Sequence, residues 1–111
     1  MFPFGSIVLA RFPFTDLSGI KRRPALVVSR DNERRPDIVV CFITSVARTE
    51  PDAAPLPALP GTGLKVDSCV RFDKLATLHR SVIAGSIGAA PPEWLEAHRA
   101  RFFAVFGFGA P

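Results

Sequence analysis

The sequence predicts a small, mainly β fold: an antiparallel barrel of five to seven strands followed by one C-terminal helix. Three observations carry this. Short apolar runs of β-forming residues recur between turn formers, with eleven Pro and eight Gly in 111 residues, which favours many short elements over long helices. The run Ile38-Val39-Val40-Cys41-Phe42-Ile43 is apolar on both faces, as a strand covered on both sides must be. After Pro91-Pro92 the apolar spacing changes from strand-like to helical.

Residues 6–12 read as the first strand, ended by Pro13 and a turn through Asp16-Leu17-Ser18-Gly19. Residues 24–29 read as the second, so the pair forms a hairpin with a long, polar, basic tip. A charged turn over 31–36 leads into a third strand at 37–44. Residues 45–63 contain Pro51, Pro55, Pro57, Pro60, Gly61 and Gly63, and read as a loop with at most a short edge strand near 54–59. Strands at 68–72 and 82–87 follow, with a short strand or turn at 75–78 between them. Pro91, Pro92 and Glu93 open the helix. Glu93 and Glu96 sit near its positive end, Arg99 and Arg101 toward its negative end, and Gly107 supplies the C-cap. Leu95, Phe102 and Phe106 give it one face to lay on the sheet, and Trp94 is expected in the core. No repeat or second domain is visible, so residues 1–111 read as one domain.

Composition bounds the function. With 48% hydrophobic residues, ten Phe, one Trp and no Tyr, the chain can bury an aromatic core, which argues against disorder. The formal net charge of +4 is concentrated: residues 21–35 hold Lys21, Arg22, Arg23, Arg30, Arg34 and Arg35 against Asp31 and Glu33. Such a patch suits a polyanion, an acidic protein or an acidic membrane surface, and equally suits a solvated face. Cys41 lies in an apolar run and neither cysteine has metal-ligand spacing, so no metal or cofactor is expected. No signal-like segment is present, and no apolar run approaches the ~20 residues of a membrane helix. A cytoplasmic protein with no membrane partner is the expectation.

No phosphate-binding Gly-rich loop, nucleophile elbow or dinucleotide fingerprint occurs. His79 and His98 lie in different elements and read as structural. The polar residues at strand ends say more. Arg23 precedes Pro24, which restricts its backbone to extended conformations. Thr44 closes the third strand, with Ser45 beside it. Arg71 and Asp73, spaced i to i+2, fall on one face of a continuing strand. An Arg, a hydroxyl and an Arg–carboxylate pair suffice for RNA cleavage through the ribose 2′-OH, with a base, an acid and guanidinium stabilisation of the phosphorane. Each also has an ordinary reading: a solvated cation, a strand cap, a structural ion pair.

Several segments together resemble the MazF/PemK (Kid-like) family of bacterial toxin endoribonucleases. Gly5-Ser6-Ile7-Val8-Leu9 resembles the family's opening strand. Arg22-Arg23-Pro24-Ala25-Leu26-Val27-Val28-Ser29 resembles its second, the most specific match. Phe42-Ile43-Thr44-Ser45, Gly63-Leu64-Lys65-Val66-Asp67-Ser68, Arg71-Phe72-Asp73-Lys74-Leu75 and Ile87-Gly88 before a helix follow in the family's order. The resemblance implies an SH3-like barrel, usually a homodimer, that cleaves single-stranded RNA (mRNA) at short sequences without metal, inhibiting translation until a cognate antitoxin occupies the RNA groove. It implies Arg23 and Thr44 as catalytic, with Arg71 and Asp73 as acid and base. Lys21 and Arg22 are then expected to hold flanking phosphates, with Phe14 and Ser45 also at the RNA. One departure is that the loop Phe14-Thr15-Asp16 lacks the His found in some members, which leaves the division of acid, base and anchor open. Two other readings stand beside it: a non-catalytic toxin of the same fold, of the CcdB type, that binds DNA gyrase, and an inactive SH3-like interaction module.

Overall fold

The computed structural model describes residues 2–12, 21–31 and 34–108. The strands are β1 (Ser6–Phe12), β2 (Lys21–Val27), β3 (Asp37–Thr44), β4 (Ala53–Leu56), β5 (Ser68–His79) and β6 (Ile83–Ala89), with a 3-10 turn at Arg80–Val82 before β6. All pairings are antiparallel, in the order β4-β5-β3-β2-β1-β6. Two short helices, α1 (Pro92–Ala97) and α2 (Arg99–Ala104), end the described chain. The expected class, mainly β with a C-terminal helical segment, is the one observed.

Alternation along the central strands sorts side chains into two cores, one on each face. Ile7, Leu26, Cys41, Ile43, Val70 and Phe72 share the face that α1 and α2 cover. Val8, Ala10, Ala25, Val27, Ile38 and Val40 fill the other, with Phe42, Ala76 and Leu78 against them. This is why 37–44 is apolar on both faces.

The structure corrects the expectation in four places. The second strand begins at Lys21, three residues before Pro24, because Arg22 and Lys21 pair onward with Arg11 and Phe12. The separate strands expected at 68–72 and 75–78 are one strand, β5. Its register jumps from Phe42↔Arg71 to Cys41↔Leu75, so Phe72, Asp73 and Lys74 form a bulge, and this irregularity reads in sequence as a break. The ladder does not close into a barrel: β4 and β6 are its edges. The turn after β4 meets β6 instead, with Ala89 N–H donating to the Gly61 carbonyl at 2.9 Å. Backbones approach so closely there that a Cβ on Gly88 would lie 2.3 Å from the Gly61 carbonyl oxygen.

The single expected helix is broken at His98, whose φ of −107° and ψ of 7° leave the helical region. The break has a packing cause. Trp94 and Phe102 both contact the ring of Phe72, at centroid distances of 6.2 and 5.6 Å. In a straight helix residues eight apart lie about 12 Å apart along the axis and about 80° apart around it, too far to meet one ring. His98 stabilises the corner by stacking on Trp94 at 4.4 Å and donating from Nδ1 to the Trp94 carbonyl at 2.9 Å.

Edge strand β4 is tied down by the helices. Trp94 Nε1 donates to the Pro55 carbonyl (2.7 Å) and Arg101 Nη1 to the Ala53 carbonyl (2.8 Å). Trp94 is buried as expected, whereas Phe106 is largely exposed and touches only the ring of Phe102 among the described aromatic residues. No described helix is long and apolar enough to cross a membrane.

Candidate active site

Strand parity places the four residues singled out as catalytic on one face. Arg23 lies across from Ala10 in the β1–β2 register and two residues before Ala25, so it shares the face of the second core. The β2–β3 register pairs Ala25 with Phe42; carried on by two residues, it sets Arg23 opposite Thr44. On the other side of β3, Phe42 pairs with Arg71 and Thr44 with Cys69. Arg23, Thr44 and Arg71 therefore stand on three neighbouring strands at one end of the sheet.

The bulge in β5 completes the group. Phe72 turns into the helix-side core, 2% exposed, and Arg71 and Asp73 on either side of it turn the other way. They form a two-pronged ion pair, Nε to Oδ1 at 3.3 Å and Nη2 to Oδ2 at 2.9 Å, the planar fork geometry that Arg alone provides. Partial burial pushes the Asp73 carboxyl up. The hydrogen bonds and charge of Arg71, the Asp73 backbone N–H and Lys74 outweigh it and hold the group below the usual carboxylate range. Asp73 is thus held in its ionised form, with a third of its side chain exposed. Thr44 Oγ1 accepts from the Val46 N–H at 3.1 Å, which fixes the hydroxyl and leaves its proton to donate.

Other groups are excluded or set apart. Burial, aided by the charge of Asp73, pushes the Cys41 thiol up to about 12, so it is neutral and a poor nucleophile. Arg22 lies across from Arg11 on the opposite face to Arg23, so the basic triplet is divided between faces. Ser45 is exposed just beyond β3. Phe14 and the side chain of Lys21 lie outside the described residues. His79 caps the 3-10 turn, accepting from the Ser81 N–H. An apolar hollow of about 490 Å³, lined by Leu26, Val28, Phe72, Trp94 and Phe102, lies on the helix side and holds none of the four.

Sequence reading passed over one charged pair beside this site. Arg48 Nη1 donates to Glu50 Oε1 at 3.1 Å. Phe72 N–H donates to the Asp52 carbonyl at 2.8 Å, and Ala53 pairs with Arg71, so the end of the 45–52 loop is anchored on β5 next to the Arg71–Asp73 pair. The only sequence signal was an Arg-x-Glu spacing in a stretch that otherwise reads as irregular.

A family model of PemK-like, MazF-like toxins of type II toxin-antitoxin systems matches residues 4–106. The chain belongs to the PemK/MazF toxin family. Solved structures agree in fold. The MazF toxin of Deinococcus radiodurans is 30% identical at a TM-score of 0.76, over 96% of each chain. In a MazE–MazF complex from the same organism the match is 27% identical, TM-score 0.78, again over 96% of each chain. A mycobacterial endoribonuclease in complex with its cognate antitoxin superimposes at a TM-score of 0.80 over 100% of both chains, at 20% identity. No curated protein matches significantly. Membership of a toxin family of toxin-antitoxin systems, expected from the strand-end motifs, is therefore established for this PemK/MazF chain.

Proposed function

We propose that this toxin is an endoribonuclease that cleaves single-stranded RNA at the expense of its own 2′-hydroxyl and needs no metal. The observation that carries the reading is the gathering of Arg23, Thr44, Arg71 and Asp73 on one face at the end of β2, β3 and β5. In the reaction Asp73 takes the proton of the 2′-OH, and the 2′ oxygen attacks the adjacent phosphorus. The bond from phosphorus to the 5′ oxygen breaks, leaving a 2′,3′-cyclic phosphate. Arg71 protonates the departing 5′ oxygen, Arg23 stabilises the extra charge on the phosphorane, and Thr44 orients the phosphate. Lys21, Phe14 and Ser45 contact the flanking RNA; Arg22, which faces away from Arg23, is left out of this contact. A homodimer and neutralisation by a cognate antitoxin complete the reading; structural relatives are complexes with antitoxins.

The test is incubation of purified protein with a long unstructured RNA in EDTA, wild type beside Arg23→Ala. Discrete fragments ending in 2′,3′-cyclic phosphate are expected, reduced about 10²- to 10³-fold in rate by the substitution, the usual loss for removing one transition-state charge partner. A second reading rests on one specific feature. Phe106 and Phe108 are 45% and 70% exposed, the apolar C-terminal anchor that a gyrase-binding toxin requires. Intact RNA in both lanes, with gyrase retained on the immobilised protein and lost with Phe108→Ser, would favour that reading.

A further inference from the structure

We propose that Arg48, on the loop between β3 and β4, is a second phosphate anchor of the RNA site, held ready by Glu50. The inference rests on the ribonuclease reading above. Its ground is the way Arg48 is bonded. A guanidinium offers five N–H donors in a fixed fork. Arg71 satisfies its fork on Asp73 through two bonds. Arg48 makes one described hydrogen bond, to Glu50, while its Nε–H is buried and meets no acceptor among the described residues. A buried donor without a partner is costly. The side chain is about one-third exposed, and a phosphate accepts from two N–H groups of one guanidinium at once, so an Arg48 that turns out to a phosphate satisfies donors its resting position leaves unpaired.

Position supports the assignment. The loop that carries Arg48 begins at Thr44 and ends at Ala53, which pairs with Arg71, so both of its ends are anchored at the site. Glu50 is fixed as a holder by its place in the turn, where its carbonyl accepts from the Ala53 N–H at 3.1 Å. Its own backbone N–H, Arg48 and Arg71 keep its carboxyl ionised and lowered. One carboxylate thus balances Arg48 until a phosphate competes for it. Arg48 would grip a phosphate next to the scissile one, and is an anchor rather than a catalytic residue.

The experiment pairs cleavage of a long unstructured RNA with fluorescence anisotropy of a fully 2′-O-methylated RNA oligonucleotide, which cannot react. Arg48→Ala is expected to weaken binding about tenfold and to lower the slope of log affinity against log salt by about one unit or less. Arg48→Lys should restore the slope but not the whole affinity, because an ammonium lacks the fork. Glu50→Gln should tighten binding by about twofold to fivefold, since Arg48 is released. A purely structural role for Arg48 would leave the salt slope unmoved. Wild-type affinity and slope in Arg48→Ala, with the wild type cleaving RNA, overturn this assignment alone. A wild type that neither binds nor cleaves RNA overturns the ribonuclease reading and this one with it.

Discussion

Asp73 is the residue on which the proposed chemistry turns, and its ion pair with Arg71 makes two outcomes predictable. Asp73→Asn should abolish cleavage while binding of 2′-O-methylated RNA persists, because the amide cannot take a proton. Retained turnover in that variant would move the base elsewhere. The second outcome concerns pH. Since the fold lowers the Asp73 carboxyl, its ionised form is the one stabilised. Its contribution to stability is present above the unfolded carboxylate range near ~4 and fades as pH falls through the lowered value. Any loss of cleavage rate from this group should therefore fall below the ordinary carboxylate range; a step centred near neutrality in the pH–rate profile would assign the base to another side chain. Arg71 and Asp73 were legible in sequence because a two-residue spacing on a strand needs no tertiary knowledge. Arg23 and Thr44 were legible as strand ends. That they face each other depends on the register Ala25↔Phe42, which no local pattern prints. Arg48 and Glu50 were not legible, because only the Phe72-to-Asp52 bond and the β4–β5 pairing bring their loop to the site.

At the scale of elements, β5 and the helix pair form one device. The bulge at Phe72, Asp73 and Lys74 lets one strand send a ring into the core and a charged pair out of it. Phe72→Ala should cost about 3–5 kcal/mol in urea unfolding, the range for deleting a buried aromatic ring, and should depress cleavage further than stability alone explains. Trp94→Phe is milder, at about 1–3 kcal/mol, since a phenyl ring still fills part of the site but leaves a smaller cavity and takes the indole N–H from the Pro55 carbonyl. Most element types were readable from residue patterns: β1 and β3 have the expected bounds. What failed was continuity. A bulge in β5 looked like a gap between strands, and a corner at His98 left no mark, since Leu95 and Phe102 keep helical spacing across it.

For the whole molecule, the seam between the β4 turn and β6 joins the two edges of the sheet. Two glycines of β6 test this in opposite directions. Gly88→Ala should lower the melting temperature sharply or prevent folding, because its Cβ meets the backbone of Gly61 and Thr62. Gly85→Ala, with nothing within 4 Å of the added carbon, should shift stability by no more than about 0.5 kcal/mol. Equal effects from the two would show that the seam is not a constraint. The support beneath Arg71 and Asp73 has a different consequence. Both helices have six residues, too few to persist alone; they stay docked through Phe72, Pro55 and Ala53. Segments of this kind open locally at lower free energy than the sheet. On warming, then, a growing share of molecules would keep an intact sheet yet lose the support beneath Arg71 and Asp73. The proposed cleavage would then fade with temperature ahead of melting, a thermal limit on activity set by two short helices on the far side of the sheet.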